Sequence, residues 1–328
     1  MLELNTLRNN KSEIAERLRI RGDQYSDLVE QILDKDADRR STQTELDEQL
    51  AEMNKLSKEI GNLFREGKQE EANAMKARTG ELKERTQELK DKLTSYEQAL
   101  QELLYQVPNA PQSDVPKGNT DQDNQIIFTA DIAAGKDQQP HWEITEKHDL
   151  IDFELGVKVT GAGFPIYKGK GARLQRALIN FFLDEAIKAG YQEFIPPHMV
   201  NEDSGYGTGQ LPDKEGQMYH VTADNLYLIP TAEVPLTNMF RDVIVSEEEL
   251  PIKITGYTPC FRREAGSYGK DVRGLNRLHQ FDKVEIVEIE HPDRSNETLD
   301  RMVEHVKGLL EKLELPYRIA KLCGGDLG

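Results

Sequence analysis

Arg262 and Glu264 stand two residues apart in an alternating run, 254–264, so an extended strand would project both from one face. A guanidinium there can fork onto a phosphate or carboxylate, and the carboxylate beside it can accept hydrogen bonds from an exocyclic amine. That pairing suits ATP. A second alternating run, 279–289, puts Phe281 and Glu285 on one face and Val284 and Ile286 on the other. The ring could stack on a base, leaving Glu285 to meet a cationic or hydroxyl group. A glycine- and arginine-rich loop joins the two runs, and we read the whole as a nucleotide-binding hairpin. The bland alternative is an amphipathic hairpin whose polar face meets water.

Other patterns carry less chemistry. Residues 205–212 (GYGTGQLP) and Gly169-Lys170-Gly171 lack the G-K-[ST] ending of a P-loop and do not form G-x-G-x-x-G. The first reads as a mobile loop beside the site. Two cysteines, Cys260 and Cys323, are too few and too far apart for a disulfide framework or a C-x-x-C site. Seven histidines without H-x-x-x-H or H-E-x-x-H spacing argue against zinc. Thr231-Ala232-Glu233 follows a strand-like stretch, and by itself reads equally well as a helix start capped by Thr231.

The elements that would position these residues follow from periodicity. Asn10 lies three residues before Glu13, a capping-box pattern for a short helix carrying Ile14 and Leu18 and ending at Gly22. Leu46, Leu50, Met53, Leu56, Ile60 and Leu63, then Met75, Leu82, Leu89, Leu93, Tyr96, Leu100 and Leu103, recur near heptad spacing. Two helices about a break at 65–71 predict an antiparallel coiled-coil hairpin over 26–104, within a helical region 1–106. Residues 107–124, rich in Pro, Asn, Asp and Gly, read as a linker. From 125 to 328 an α+β domain is expected: a helix over 172–189 stopped by Gly190, a strand over 191–200 broken by Pro196 and Pro197, the hairpin, a helix over 292–315 and a strand over 317–322.

With 37% apolar and 31% charged residues, the chain has the composition of a soluble protein with an unusually charged portion. A net charge of −17 argues against general polyanion binding, so an RNA partner would need local basic patches. No apolar run reaches the roughly 18 residues of a membrane span, and the N-terminus lacks an apolar signal core. A cytoplasmic location is the default expectation.

The string FRREAGSYGKDVRGLNRLHQFDKVE, residues 261–285, resembles motif 2 of the class II aminoacyl-tRNA synthetases, in the form found in the bacterial-type seryl-tRNA synthetases. The helix, strand and proline around 172–200 resemble motif 1, which in that class builds a dimer interface. The resemblance implies an enzyme that activates L-serine with Mg²⁺-ATP and transfers it to tRNA(Ser), and to tRNA(Sec) where the host has it. By the same resemblance Arg262 is the catalytic residue and holds the α-phosphate and the amino-acid carboxylate. ATP would be bound by Arg262, Arg263, Glu264 and Phe281. Serine would be bound by Thr231, Ala232, Glu233, Arg262 and Glu285. Residue 263 departs from the small residue of many members. The loop 265–276, with Arg273 near its end, would close over ATP and touch the tRNA acceptor end. The helical hairpin would grip the tRNA variable arm, with Arg39, Arg40, Lys55, Lys58, Lys76, Arg78 and Lys83 as candidate phosphate contacts, although a charged coiled-coil surface is usually only solvated.

The resemblance also implies further strands beyond residue 328 that carry the Mg²⁺ ligand and motif 3, so no metal ligand is expected within these residues; either the natural protein is longer and this is a fragment of it, or the chain is truncated and catalytically crippled, and a homodimer is expected. Two other readings stay open: a tRNA-binding protein without turnover, and a synthetase-like ligase that loads an amino acid onto a carrier protein. The long arm speaks against the second.

Overall fold

The computed structural model describes every residue except 1, 134, 136, 137, 214, 265–272 and 328. In chain order the elements are α1 (Leu4–Asn9), α2 (Lys11–Arg19), α3 (Asp23–Arg65), α4 (Gln69–Leu104), β1 (Gln125–Thr129), α5 (His141–Lys147), β2 (Ile151–Asp152), α6 (Phe153–Val159), β3 (Ile166–Tyr167) and α7 (Lys170–Lys188). There follow β4 (Gln192–Glu193), β5 (Met199–Val200), α8 (Glu202–Gly207), β6 (His220–Val221), β7 (Leu226–Leu228), α9 (Glu233–Asn238), β8 (Ile252–Phe261), β9 (Gln280–Ile289), α10 (Ser295–Lys312) and β10 (Arg318–Lys321). The chain divides into two compact units, 1–128 together with 319–328, and 129–318.

In the first unit the heptad apolar pattern folds α3 onto α4, with the turn at residues 66–68 inside the expected break. Leu46, Leu56, Ile60, Leu89 and Leu100 are buried along the seam, while Leu50, Met53, Leu82 and Leu93 are half-buried. At the base, Leu7, Ile14, Leu18, Val29, Ile32, Leu100, Leu104 and Val107 form one core. The capping box expected at Asn10 does not form. Asn10 closes α1 and opens α2 at once, with φ −125° and ψ 32°, and its side chain caps nothing. An N-cap needs β-region backbone to aim its side chain at the first turn.

The stretch 107–124 is held against the first unit. Val107 belongs to the core, Arg17 donates to the Pro111 and Ala110 carbonyls, and the Gly324 and Gly325 N–H groups donate to Pro116 and Gly118 carbonyls. β10 pairs with β1, so the compact units differ from the expected division at 125, because the last residues return to the first unit.

In the second unit β8 and β9 form a ten-residue antiparallel ladder with Gly256 opposite Glu285 and Cys260 opposite Phe281. The alternation that marks both strands places one side chain in two on each face. β4 joins β8 in parallel, and β4 stops short because Pro196 and Pro197 cannot donate to a ladder. β5, β7 and β6 form a second antiparallel sheet. α7 ends where Gly190 takes a positive φ of 90°, a conformation that favours glycine. Val200, Ile229 and Val234 form one core, and Ala232, Leu236 and Ile254 another, between α9 and the β8–β9 hairpin.

Candidate active site

The polar face of β9 carries Phe281, Lys283 and Glu285, as the two-residue period requires. The opposite face turns Asp282, Val284 and Ile286 toward α7. There the Tyr257 hydroxyl donates to Asp282 at 2.6 Å, Gln175 also donates to Asp282, and burial beside that carboxylate pushes the Tyr257 phenol up. A cavity of about 700 Å³ runs between this apolar side, α7 and α10. It touches Phe281 and Lys283 but not Thr231, Glu233, Glu285 or Arg262. The charged cluster on the polar face therefore defines the candidate site.

That cluster is organised by Thr231, buried at the entrance to α9. Its hydroxyl accepts from the Lys283 ammonium at 2.9 Å and from the Glu233 N–H at 3.2 Å, and donates to Glu285 Oε2 at 2.7 Å. Lys283 Nζ lies 2.6 Å from the same Glu285 oxygen. Ala232 is fully buried and packs with Leu236 and Ile254. Glu233 opens to solvent, yet its carboxyl is pushed above the usual range, first by loss of water to the surrounding protein, then by Glu285, with Lys283 opposing. Two carboxylates thus face one ammonium.

At the other end of the same face the Arg262 guanidinium covers the Phe281 ring, 5.3 Å from its centroid. A cation over an aromatic face is attracted by about 0.5–1 kcal/mol where water reaches it. Among the described residues Arg262 makes no ion pair, which leaves its donors for an anionic ligand. The expectation that Arg262 and Glu264 share a strand face does not hold. β8 ends at Phe261, and Glu264 has a positive φ of 48°, so period-two alternation has stopped before either residue. Arg262 N–H still donates to His279 O on β9, while on the other edge Phe261 N–H donates to Ile229 O and Arg263 N–H to Gln217 O. Glu264 instead forms an ion pair with Arg277 at 2.9 Å. Arg263 lies beside Tyr219.

Tyr219 and His279 share a hydrogen bond of 2.7 Å, Phe164 stacks on His279 at 5.2 Å, and the His279 carbonyl accepts from Arg262 N–H. These contacts hold the root of the loop. Its far end is held by Leu275 N–H donating to His141 Nε2 at 2.7 Å and by Arg273 over the Trp142 ring at 4.5 Å. The part of the expected closing loop at 265–272 lies outside the described residues. Lys283, Arg277, Tyr219 and His279 were not singled out from the sequence. Lys283 was legible, since it alternates with Phe281 and Glu285; the others depend on tertiary contact.

On the helical hairpin, Arg39 and Arg40 are paired with the buried Asp36, Arg78 pairs with Glu52, and Lys76 lies over Phe64. Lys55, Lys58 and Lys83 are exposed and, among the described residues, have no ion pair. Among the described residues no group of three His, Cys, Asp or Glu side chains is placed to hold a metal ion. No helix among them is long and apolar enough to cross a membrane.

Residues 219–328, which contain the β8–β9 hairpin and this site, match the tRNA synthetase class II core domain (G, H, P, S and T), which defines an aminoacyl-tRNA ligase enzyme. Residues 1–111 match the seryl-tRNA synthetase N-terminal domain. A serine–tRNA ligase of Salinibacter ruber is 50% identical over 330 residues, covering all of this chain and 77% of that protein. One from Sulfurovum sp. is 43% identical and matches all of this chain and 79% of its own length. Among solved structures, a seryl-tRNA synthetase from Pyrococcus horikoshii complexed with ATP superimposes with a TM-score of 0.90 at 31% identity, covering all of this chain and 78% of that one. The chain belongs to the seryl-tRNA synthetase family.

Proposed function

We propose that the protein activates L-serine with ATP and transfers it to tRNA(Ser), and to tRNA(Sec) where the host makes one. The observation that carries this reading is the single polar face on which Thr231, Lys283 and Glu285 lie beside Arg262 and Phe281. The cluster of Thr231, Glu233 and Glu285 would take the serine ammonium and test its hydroxyl by hydrogen bonding. A site built around polar groups rejects alanine strongly because those groups would be left unpaired.

Arg262 would hold the α-phosphate and the serine carboxylate, and Phe281 would stack on adenine once the guanidinium swings from its ring to the phosphate. Glu264 would accept from the adenine amino group after parting from Arg277. Arg263 would make a further ATP contact from the Tyr219 side. A carboxylate oxygen of serine then attacks the α-phosphorus, the bond to the bridging oxygen breaks, and pyrophosphate leaves with the electron pair. Arg262 offsets the charge that develops, so positioning and electrostatics carry the rate, with no side-chain nucleophile. In the second step a ribose hydroxyl of the tRNA end attacks the serine carbonyl and AMP departs. Mg²⁺ is usually held by substrate phosphates with one or two carboxylates. The described residues offer no preformed protein cluster for it.

The helical hairpin is the proposed tRNA-binding element, with Lys55, Lys58 and Lys83 as the phosphate contacts least committed within the protein. Arg39, Arg40, Lys76 and Arg78 would have to exchange existing partners, and Arg273 would leave Trp142 to reach the acceptor end. A homodimer through the motif 1 segment is supported by Ile195, 86% exposed beside Pro196. The absence of a membrane-crossing helix among the described residues is compatible with the proposed cytoplasmic location. Serine-dependent ATP–pyrophosphate exchange, with Arg262→Ala as control, tests the reaction. Exchange that survives the substitution would refute the role of Arg262, and ATP binding without any serine binding would refute the substrate.

A further inference from the structure

The polar cluster contains a cation that the proposed chemistry leaves without a task. Lys283 is half-buried, lies 2.6 Å from Glu285 and 2.9 Å from Thr231, and stands in the field of Glu233. A half-buried lysine commonly lays its stem along apolar surface and keeps its charged head in water. Here it is turned back onto the two groups that face the ligand.

The Thr231 hydroxyl shows what that contact does. A hydroxyl has two acceptor sites and one proton. Lys283 Nζ and the Glu233 N–H occupy the acceptor sites, so the proton has one remaining destination, Glu285 Oε2. That oxygen also meets the ammonium, which leaves Oε1 of Glu285 for a ligand. The charge count points the same way. Glu233 and Glu285 bring two negative charges to one cluster, where a neighbouring like charge disfavours the ionised form. One ammonium reduces the net charge from −2 to −1, which matches a single incoming cation.

We propose that Lys283 is a positioning residue for the amino-acid ammonium: it offsets one of the two negative charges of Glu233 and Glu285 and fixes the Thr231 proton on Glu285. The inference rests on the serine reading of this pocket. Without Lys283, the one nearby group that opposes the upward push on the Glu233 carboxyl, Glu233 would hold a proton that the ammonium must expel, so serine affinity would become coupled to pH. Among the described residues, the charges that act on this cluster come from Glu233 on α9, Lys283 and Glu285 on β9, and Cys260 on β8. The Cys260 thiol is pushed up by burial and so stays protonated in the working range.

The test is calorimetric titration of the full chain with serine and, separately, with ATP, at pH 7.5 and pH 6, in two buffers of different ionisation enthalpy. Wild type is expected to bind serine with little change between the two pH values and without proton release. Lys283→Met is expected to bind ATP within about twofold of wild type, to release a proton on binding serine, and to lose roughly tenfold in serine affinity on going to pH 6, as one coupled proton permits. Lys283→Arg retains the charge and should stay close to the wild-type pH profile. If Lys283→Met fails to bind ATP, indicating a misfolded chain, Lys283→Gln replaces it. Equal pH dependence and proton release in wild type and the uncharged variant would overturn the proposal. ATP binding without serine binding in wild type would remove the serine reading, and this inference with it.

Discussion

Asp36 in the helical arm and Glu285 in the catalytic unit are both carboxylates held by cations, yet they are held in opposite ways. Asp36 is 0% exposed and meets three guanidiniums: Arg8 bidentately at 2.7 Å, Arg39 at 3.3 Å and Arg40 at 3.1 Å. Its charge is more than compensated, and it binds α1 to α3 where the arm joins its base. Glu285 keeps partial access to water and shares one ammonium with Glu233. The first centre is closed and structural; the second is one cation short, as the proposed site for the serine ammonium requires. Charge balance, more than the presence of charge, separates the two.

The largest expected effect comes from Arg262→Ala. Loss of one donor aimed at developing charge costs about 3–4 kcal/mol in the transition state, or roughly 10³-fold in exchange rate. The unfolding temperature should hardly move, since this guanidinium lies over a ring and supports no buried ion. Next is Asp36→Asn, which leaves three arginines without their common anion and should cost about 3 kcal/mol of arm stability. Denaturant unfolding followed by helical circular dichroism measures it, and nucleotide binding should remain unchanged.

The same centre has a pH signature. The Arg8 hydrogen bond, with help from Arg39 and against the opposing effect of burial, holds the Asp36 carboxyl below its ordinary value. A lowered folded value means the stabilisation is complete above the unfolded carboxylate range, near pH ~4, and is lost as pH falls through the folded value. Acid unfolding of the arm should lose this step in Asp36→Asn.

Glu285→Gln probes the open centre. It should weaken serine binding by about 2 kcal/mol, roughly 30-fold, while changing stability by less than about 1 kcal/mol. A large stability loss there would erase the contrast with Asp36. The smallest effects belong to Lys55→Ala, Lys58→Ala and Lys83→Ala. Each should lower the slope of log tRNA affinity against log salt by about one, with little change in the fold. Larger losses from Arg39→Ala with the arm intact would show that the Asp36 centre opens to bind RNA.

Much of this was legible before folding. The heptad repeat placed the helical hairpin and its turn, and alternation over 279–289 assigned each β9 side chain to its face. Misreadings arose where a local rule met a tertiary partner. The Asn10 box gave way because two helices meet at that residue, and the Arg262–Glu264 alternation broke where Glu264 takes a positive φ and pairs with Arg277. The 107–124 stretch had a linker's composition, yet its backbone groups found partners near the chain's end.

Residue types and spacing by themselves determined the family, the arm, the hairpin and the common face of Phe281 and Glu285, because these follow from periods of two and seven and from one unbroken string. Tertiary structure decided which charges neutralise one another. Thr231 reaches Glu285 across 54 residues and Arg8 reaches Asp36 across 28, separations over which sequence spacing carries no distance. Only when those elements pack does one carboxylate become closed and the other remain open, since Coulomb attraction and hydrogen bonding act over a few ångströms that folding alone sets.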